Sequence, residues 1–261
     1  MADIRVISYN EHGNKRWFKP ADFRFAAKDK VVAVTLSEIP KAMLSLPLAF
    51  IKTDLSYQPV VVQGLLEEKN LLITPNGQWV ADYIPLLYRT MPFKLAKNAE
   101  EQFVLCVDHE SGLVTDTPAG YRFLEDEKKM SAEANANATL LMQFEADRPR
   151  TAQACKLLGD YGVIEPWVLQ LQQNDEIVTT EGLYRINENK LMEVPAEVLA
   201  QLRDCGGLML CYAQLISTHH MQHLGTLLQR THWAVKAAES ATKVAPLNIT
   251  DDNGILSFAK I

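Results

Sequence analysis

Three histidines towards the end of the sequence have a spacing that suits metal binding. His219 and His223 are four residues apart, so on a helix both imidazoles face one side, as a helical pair of zinc ligands requires. His220 lies beside them, and no carboxylate at the usual spacing offers a third ligand. A cluster of solvated histidines, with His220 partly buried, is therefore the simpler interpretation. We expect neither a bound metal nor a cofactor.

A pair of carboxylates follows an apolar segment in the first half of the chain. Asp108 and Glu110 are two residues apart, and alternation along a strand would place both on the same face. Such a pair can support acid–base chemistry. The same pattern is typical of the polar face of an edge strand, and that interpretation needs no further assumption.

Residues 76–95, NGQWVADYIPLLYRTMPFKL, crowd bulky side chains behind a turn signal. Gly77 tolerates a positive φ after Asn76, so the chain can reverse tightly there. Arg89 lies among the aromatic residues, where its guanidinium can stack on a ring or bind a carboxylate. The bulky and rigid residues of the segment are Trp79, Tyr83, Pro85, Tyr88, Pro92 and Phe93.

Such a segment builds either a ligand pocket or a structural corner. In a pocket, Trp79, Tyr83 and Arg89 would contact the ligand, with Arg89 or Arg185 at its mouth. Burying an aromatic side chain contributes roughly 1.5–3 kcal/mol, and this favours the corner. We therefore expect Trp79 and Tyr83 to be mostly buried and Arg89 to bond a carboxylate or backbone carbonyls inside the protein, so that Arg89→Ala lowers stability. One of the rings can still line a pocket at the edge of the corner.

The sequence lacks the motifs of the most easily recognised enzymes. It contains no G-x-x-x-x-G-K-[ST] or G-x-G-x-x-G phosphate loop, no G-x-S-x-G elbow and no H-E-x-x-H pair. The net charge is −6, and the densest basic cluster is short, so we expect no nucleic-acid partner. These absences exclude familiar enzyme classes and leave an enzyme of an unfamiliar type open.

Composition and cysteine usage indicate a globular protein of a reducing compartment. Hydrophobic residues make up 48% and charged residues 22% of the chain, as in ordinary globular proteins. No C-x-x-C pair is present, so buried free thiols are expected. Residues 1–15 lack the apolar core of a signal peptide, and no apolar run is long enough to cross a membrane. We therefore expect a cytoplasmic protein. The cysteines are Cys106, Cys155, Cys205 and Cys211.

Strand signals predominate in the first half of the chain. The first thirty residues are expected to be irregular apart from one short strand, and a short helix capped by Ser37 follows the first long strand. Asn76–Gly77 predicts a hairpin turn. The apolar and β-branched runs that predict strands are 31–36, 48–53, 58–67, 70–80 and 100–110.

Helix signals predominate after residue 130. The segment Asp147–Arg148–Pro149 is expected to separate one helix from the next. Further on, the pattern predicts an antiparallel ribbon around Asn187–Asn189 and a hairpin about Asp-Asn-Gly near the end. The predicted helices span 131–146, 149–161, 196–205 and 208–239.

These patterns predict an α+β fold with a mostly antiparallel sheet from the N-terminal half, short ribbons, and helices concentrated after residue 130. We expect one domain over residues 1–244 and a C-terminal hairpin tail over 245–261. Two independent cores divided near residue 128 would contradict the first expectation.

Four segments together resemble the SapC family of bacterial proteins, which takes its name from an S-layer-associated gene. They read NLLITPNGQWVADYIPLLYRTMPFKL, LCVDHESGLV, GLYRINENKL and YAQLIS. The similarity extends from about Trp17 to about Trp233. The aromatic, proline and arginine pattern of residues 76–95 is its most specific part.

The resemblance implies a role in surface-layer export or, since relatives are often grouped with TonB-dependent receptors and tryptophan halogenases, in nutrient uptake or modification. It assigns no catalytic residues. Some relatives are labelled peptide-transport permeases, which conflicts with the absence of a membrane span here. The leading hypothesis is a non-enzymatic binding or accessory protein for a peptide, a sugar or a partner protein. The alternative is an unfamiliar enzyme, metal-dependent through His219, His220 or His223.

Overall fold

A computed structural model describes residues 3–54, 56–66, 69–173 and 176–230 of the chain. The strands, in chain order, are β1 Ile4–Val6, β2 Arg16–Trp17, β3 Val31–Ala33, β4 Leu48–Lys52, β5 Tyr57–Val62, β6 Phe93–Lys97, β7 Phe103–Asp108, β8 Val114–Thr115, β9 Tyr121–Arg122, β10 Leu124–Asp126, β11 Lys129–Met130, β12 Ile164–Pro166, β13 Leu169–Gln173, β14 Glu176–Thr180 and β15 Leu183–Ile186. The helices are α1 Tyr9–His12, α2 Ile39–Ala42, α3 Leu86–Arg89, α4 Ala132–Asp160, α5 Glu188–Met192, α6 Ala196–Cys205 and α7 Gly207–Ser217. Residues 220–230 are also helical.

The predicted α+β class is confirmed. The strand pairs within the described residues are antiparallel. The helices before residue 130 are single turns, whereas α4, α6 and α7 follow it. The first thirty residues are more ordered than expected, because β1, α1 and β2 lie within them.

The largest sheet has the strand order β12-β15-β4-β5-β3. Its central strands β4 and β5 are paired from Leu48–Val61 to Lys52–Tyr57, and their apolar runs are almost fully buried. Helices α4 and α7 contact these strands. Strands that are covered on both faces have continuous apolar sequences rather than alternating ones. The sequences of β4 and β5 have this pattern.

A second apolar cluster surrounds the smaller sheets β1-β7-β6 and β8-β2-β9. Trp17, Phe93 and Phe123 are its largest members, and the Trp17 and Phe93 rings meet edge to face with centroids 4.7 Å apart. Helix α4 joins the two clusters, since Phe144 belongs to this one and Leu158 to the cluster of the large sheet. That residues 1–244 form one domain stays a prediction, and the hairpin predicted for 245–261 lies outside the described residues.

The predicted break at Asp147–Pro149 is wrong, because α4 runs without interruption and contains Pro149. Proline removes one hydrogen bond of a helix, here to the carbonyl of Glu145. Helical residues on both sides are buried, with Phe144 in one cluster and Ala154 in the other. This burial outweighs the local cost of the proline.

Of the two strands predicted around Asn187–Asn189, the first is confirmed as β15. The second is wrong, because helix α5 follows β15 instead. The side chain of Asn187 accepts a hydrogen bond from Lys190 N and caps that helix. A short polar residue before Glu–Asn–Lys fits a cap better than a turn between strands.

The long helix predicted over 208–239 is interrupted at Thr218–His219, which form a turn between α7 and residues 220–230. The Thr218 hydroxyl donates to the carbonyl of Leu215 at 2.6 Å, and such side-chain bonds to the preceding turn bend helices. Residues beyond 230 lie outside the described part of the chain.

We expect Pro149→Ala to raise the free energy of unfolding by about 1–3 kcal/mol, since it restores a helix hydrogen bond in the interior of α4. Pro149 is exposed, so the change removes no core packing. Urea denaturation monitored by circular dichroism measures the effect. Gln143→Ala, at another exposed position of α4, is the control and should change stability by less than about 0.5 kcal/mol. An unchanged or lower stability of Pro149→Ala would mean that the helix is not continuous.

Candidate functional site

Residues 76–95 form a corner held by side-chain hydrogen bonds to the backbone and to a buried carboxylate. The predicted turn at Asn76–Gly77 is confirmed, because Gly77 has φ 83° and an antiparallel bridge joins Ile73 to Trp79. The indole Nε1 of Trp79 then donates to the carbonyl of Tyr83 at 2.9 Å. This bond closes the loop between the hairpin and α3.

Glu38, which lies just before α2, holds this corner from the other side. Its Oε1 accepts the Tyr83 hydroxyl at 2.7 Å and the Leu86 backbone N–H at 2.8 Å. The side chain therefore caps the first turn of α3, although it is far away in sequence. Glu38 is only 4% exposed, and its second oxygen, Oε2, is buried without a hydrogen-bond partner. Burial raises the pKa of this carboxyl, and its hydrogen bonds from Tyr83 and Leu86 partly offset the shift.

Arg89 does not have the internal partner that was expected. Its side chain is exposed. The guanidinium carbon lies 5.5 Å from the centroid of the Tyr83 ring, and Nη2 is 3.4 Å from the Tyr83 hydroxyl. Trp79 and Tyr83 have most of their surface buried and pack against the apolar cluster of the large sheet, as expected. The prediction that Arg89 is satisfied inside the protein is wrong, because Glu38 is already bonded by Tyr83 and Leu86 and leaves the guanidinium at the surface.

Tyr88 connects the corner to a buried polar network. Its hydroxyl donates to Asp29 Oδ2 at 2.8 Å and accepts from Gln63 Nε2 at 3.1 Å. Gln63 in turn is hydrogen-bonded by Asn70, and both amides are buried. The Trp79 and Phe25 rings pack against Tyr88 at 5.9 and 5.7 Å between centroids. Burial raises the pKa of Tyr88, and the hydroxyl stays protonated as a donor to Asp29.

A cleft of about 850 Å³ opens beside Tyr88. This volume is within the range of small-molecule sites. One wall is apolar and aromatic, with Phe25, Leu87, Tyr88 and Met91. The other lining residues are mixed, and the charged ones among them carry both signs of charge. The remaining lining residues are Ala21, Asp22, Arg24, Asp29, Val32, Lys94, Asp108, Glu110, Ser111, Gly112 and Leu113.

The two carboxylates noted in the sequence both line this cleft, although not as neighbours on one strand. Asp108 ends β7, and Glu110 belongs to the 3₁₀ turn His109–Ser111 that follows. Asp108 Oδ1 accepts the Glu110 backbone N–H at 3.1 Å, so the aspartate caps the turn. The expectation of a common strand face is therefore wrong.

The basic residues of the cleft differ in their partners. Arg24 forms an ion pair with Asp22, with Nη2 2.5 Å from Oδ2. Lys94 makes no side-chain hydrogen bond or ion pair to any residue in the described part of the chain. Its ammonium therefore stays available to an anionic group in the cleft.

The four residues proposed from the sequence as ligand contacts are not all brought together. Trp79, Tyr83 and Arg89 form one contiguous group. Arg185 instead lies on β15, where its Nε bonds Glu165 Oε1 at 2.9 Å. Whether any of them binds a ligand stays a prediction. Sequence reasoning missed Phe25, Asp29 and Lys94. Residues 1–30 show no clear hydrophobic periodicity, and nothing in the sequence distinguishes Lys94 from an ordinary surface lysine.

The histidines near the end of the described chain do not form the expected pair on one helix face. His219 lies in the turn between α7 and residues 220–230, while His223 lies within that helix, and both are exposed. His220 Nε2 lies 3.1 Å from the carbonyl of Met43. Its partial burial is confirmed.

A model of the SapC family matches residues 7–224 of the chain. The chain belongs to the SapC family. The matched span includes residues 76–95, Glu38 and every residue that lines the cleft. Neither a curated protein nor a solved structure matches the chain. Among the described residues of this SapC protein, no helix has the length and apolar character to cross a membrane.

We expect Tyr83→Phe to lower the free energy of unfolding by about 1–3 kcal/mol, because the buried Glu38 Oε1 loses its hydroxyl donor. Arg89→Ala, which removes an exposed contact of the same tyrosine, should cost less than about 1 kcal/mol. Chemical denaturation of both variants gives the comparison. A larger loss for Arg89→Ala than for Tyr83→Phe would contradict the observed arrangement and restore the original expectation.

A second prediction follows from the raised pKa of Glu38. Between the unfolded and the native pKa, the native protein holds a proton that the unfolded chain has released, so stability falls as pH rises through this interval. Glu38→Gln removes this titration, although the glutamine side chain also places one of its polar atoms where Oε2 has no hydrogen-bond partner. We therefore expect the difference in unfolding free energy between Glu38→Gln and the wild type to shift in favour of the variant as pH rises through this interval. A constant difference would show that Glu38 does not titrate abnormally.

Proposed function

We propose that this SapC protein is a non-enzymatic binding protein whose cleft takes a small zwitterionic ligand of peptide type. The single observation that carries the proposal is the cleft of about 850 Å³, which combines an aromatic wall with separate acidic and basic side chains. The ligand's apolar part would contact Phe25 and Tyr88.

The charges of the cleft support a zwitterion over a neutral sugar. Asp29 and Asp108 are acceptors for an ammonium group, and Lys94 is a donor to a carboxylate. Asp29 is already oriented by the Tyr88 hydroxyl, so it is preorganised for binding. A neutral saccharide would leave the Lys94 ammonium without a counter-charge.

We further propose that the protein acts in the cytoplasm as an accessory to surface-layer export or to TonB-dependent uptake. All four cysteines are free and buried, which supports a reducing compartment. The association with export or uptake rests on the family's name and its usual gene neighbourhood. A peptide ligand is compatible with both roles.

The alternative, an enzyme that depends on a metal at His219, His220 or His223, has less support. His220 Nε2 lies against a backbone carbonyl, and the two other imidazoles are exposed, His219 in a turn and His223 in the helix that follows it. The described residues provide no carboxylate or thiol that would complete a group of three ligands there. The binding role therefore explains more of the structure.

A thermal-shift panel of dipeptides, single amino acids and neutral disaccharides tests the ligand class. We expect dipeptides to raise the unfolding temperature, since a ligand at a hundred times its Kd stabilises by about 2.7 kcal/mol. For the dipeptides that bind, Lys94→Gln should weaken the binding free energy by about 1.5–3 kcal/mol, because a charge-assisted hydrogen bond is lost.

Lys52→Gln is the matched control, since Lys52 is exposed at the end of β4 and does not line the cleft. It should leave the shifts unchanged. If disaccharides stabilise the protein and still do so in the Lys94→Gln variant, the ligand class is a neutral sugar and not a zwitterion. If no probe shifts the unfolding temperature of the wild type or of either lysine variant, the proposal that the cleft binds such a ligand is wrong.

A further inference from the structure

Two histidines and a glutamate from distant parts of the chain converge beside the turn that follows β7. Glu11 and His12 end α1, and His109 begins the 3₁₀ turn. The Nε2 atoms of the two histidines are 2.9 Å apart, and His109 Nε2 is 4.0 Å from Glu11 Oε1. One ligand atom from each residue lies within 4.8 Å of the other two. His109 itself does not line the cleft.

We propose that Glu11, His12 and His109 form a binding site for a divalent transition-metal ion of the zinc class. Two imidazoles and one carboxylate are a ligand set that zinc uses with an open fourth position. The His109 side chain is 15% exposed and that of Glu11 is 32% exposed, so solvent reaches the place where the ion would lie. Water would complete the coordination.

The ligand atoms need only small movements to hold an ion. With zinc–nitrogen bonds of about 2.0–2.1 Å, two nitrogens of a tetrahedral site are about 3.3 Å apart. The two Nε2 atoms at 2.9 Å would have to separate slightly. Glu11 Oε1, at 4.0 Å from His109 Nε2, would have to approach by a similar small distance. Rotation of the partly exposed Glu11 and His109 side chains is sufficient.

Three existing contacts compete with the ion, and the first is the hydrogen bond between the two Nε2 atoms at 2.9 Å. The Ser8 N–H donates to His12 Nδ1 at 3.2 Å, so neutral His12 carries its proton on Nε2. Coordination through Nε2 moves this proton to Nδ1 and breaks the bond, and the Nδ1–H of the fully buried His12 then faces the Ser8 N–H, which is the main cost of binding. Arg5 Nη1 pairs with Glu11 Oε1 at 2.5 Å, but this pair is at the surface, where ion pairs contribute little.

The backbone positions the three ligands before any ion binds. Strands β1 and β7 are paired from Ile4–Asp108 to Val6–Cys106, and His109 N donates to the carbonyl of Asp3 at 2.9 Å. The buried His12 ring packs edge to face against Phe123 at 5.3 Å between centroids. Coordination therefore orders few additional degrees of freedom.

Titration of tag-free, chelator-treated full-length protein with Co²⁺ tests the site, because Co²⁺ bound by nitrogen and oxygen ligands gives a visible absorption that Zn²⁺ abolishes by competition. We expect saturation at one equivalent for the wild type. His109→Ala and Glu11→Gln should each weaken binding by more than about tenfold, since even the loss of an outer-shell partner has that effect. His109 and Glu11 are preferable to the fully buried His12, whose replacement would also disturb packing.

His219→Ala and His223→Ala are the matched controls, because both histidines are exposed and lie away from the cluster. They should bind Co²⁺ like the wild type. The proposal fails if the wild type shows no saturable binding, if both His109→Ala and Glu11→Gln, folded by circular dichroism, bind as tightly as the wild type, or if binding is lost in the control variants instead. None of these residues lines the cleft, so the outcome is independent of the proposed ligand binding.

Discussion

The placement of α3 depends on one buried carboxylate. Glu38 accepts the backbone N–H of Leu86 at the first turn of this helix and the hydroxyl of Tyr83 three residues earlier. A helix of four residues cannot hold itself by its own hydrogen bonds. The capping carboxylate and the apolar contacts of its side chains must therefore fix it. Since α3 supplies Leu87 and Tyr88 to the cleft, the shape of the cleft depends on the same interaction.

A carboxylate in this place is costly, and the surroundings show how the cost is limited. Desolvation favours the neutral form, and one oxygen of Glu38 has no hydrogen-bond partner. Against this, the hydrogen bonds from the Tyr83 hydroxyl and the Leu86 N–H and the charge of Arg89 favour the ionised form. Arg89 acts from the surface through the Tyr83 ring and hydroxyl. The arginine thus contributes to the corner without being buried in it.

The sequence predicted elements where local signals agree with the final packing. The strands β4 and β5, the turn at Gly77 and the α+β class follow from β-branched runs and turn residues. The errors arise where distant contacts override a local signal. Pro149 lies within α4 because the two apolar clusters bury the helix on both sides of it, and nothing in the neighbouring residues indicates this.

The candidate sites show the same limit more strongly. Residues 76–95 were recognisable because aromatic, proline and arginine residues are concentrated there. Their partners Glu38 and Asp29 are single acidic residues in unremarkable stretches, and the pairing of β1 with β7 brings His12 and His109 together. Spacing along a sequence reports neighbours within one element, and it failed even for His219 and His223, because the first lies in a turn and the second in the helix after it. It does not report residues that a sheet brings together from opposite ends of the chain's first half.

The crowding of residues 76–95 follows from the position of α3 between the two apolar clusters. A single helical turn directs its side chains to all sides, and here each side meets a different environment. Leu86 is buried in the cluster of the smaller sheets, Tyr88 in that of the large sheet, and Leu87 packs against both. Arg89 is left for the solvent. The same turn that joins the clusters also presents Tyr88 to the cleft.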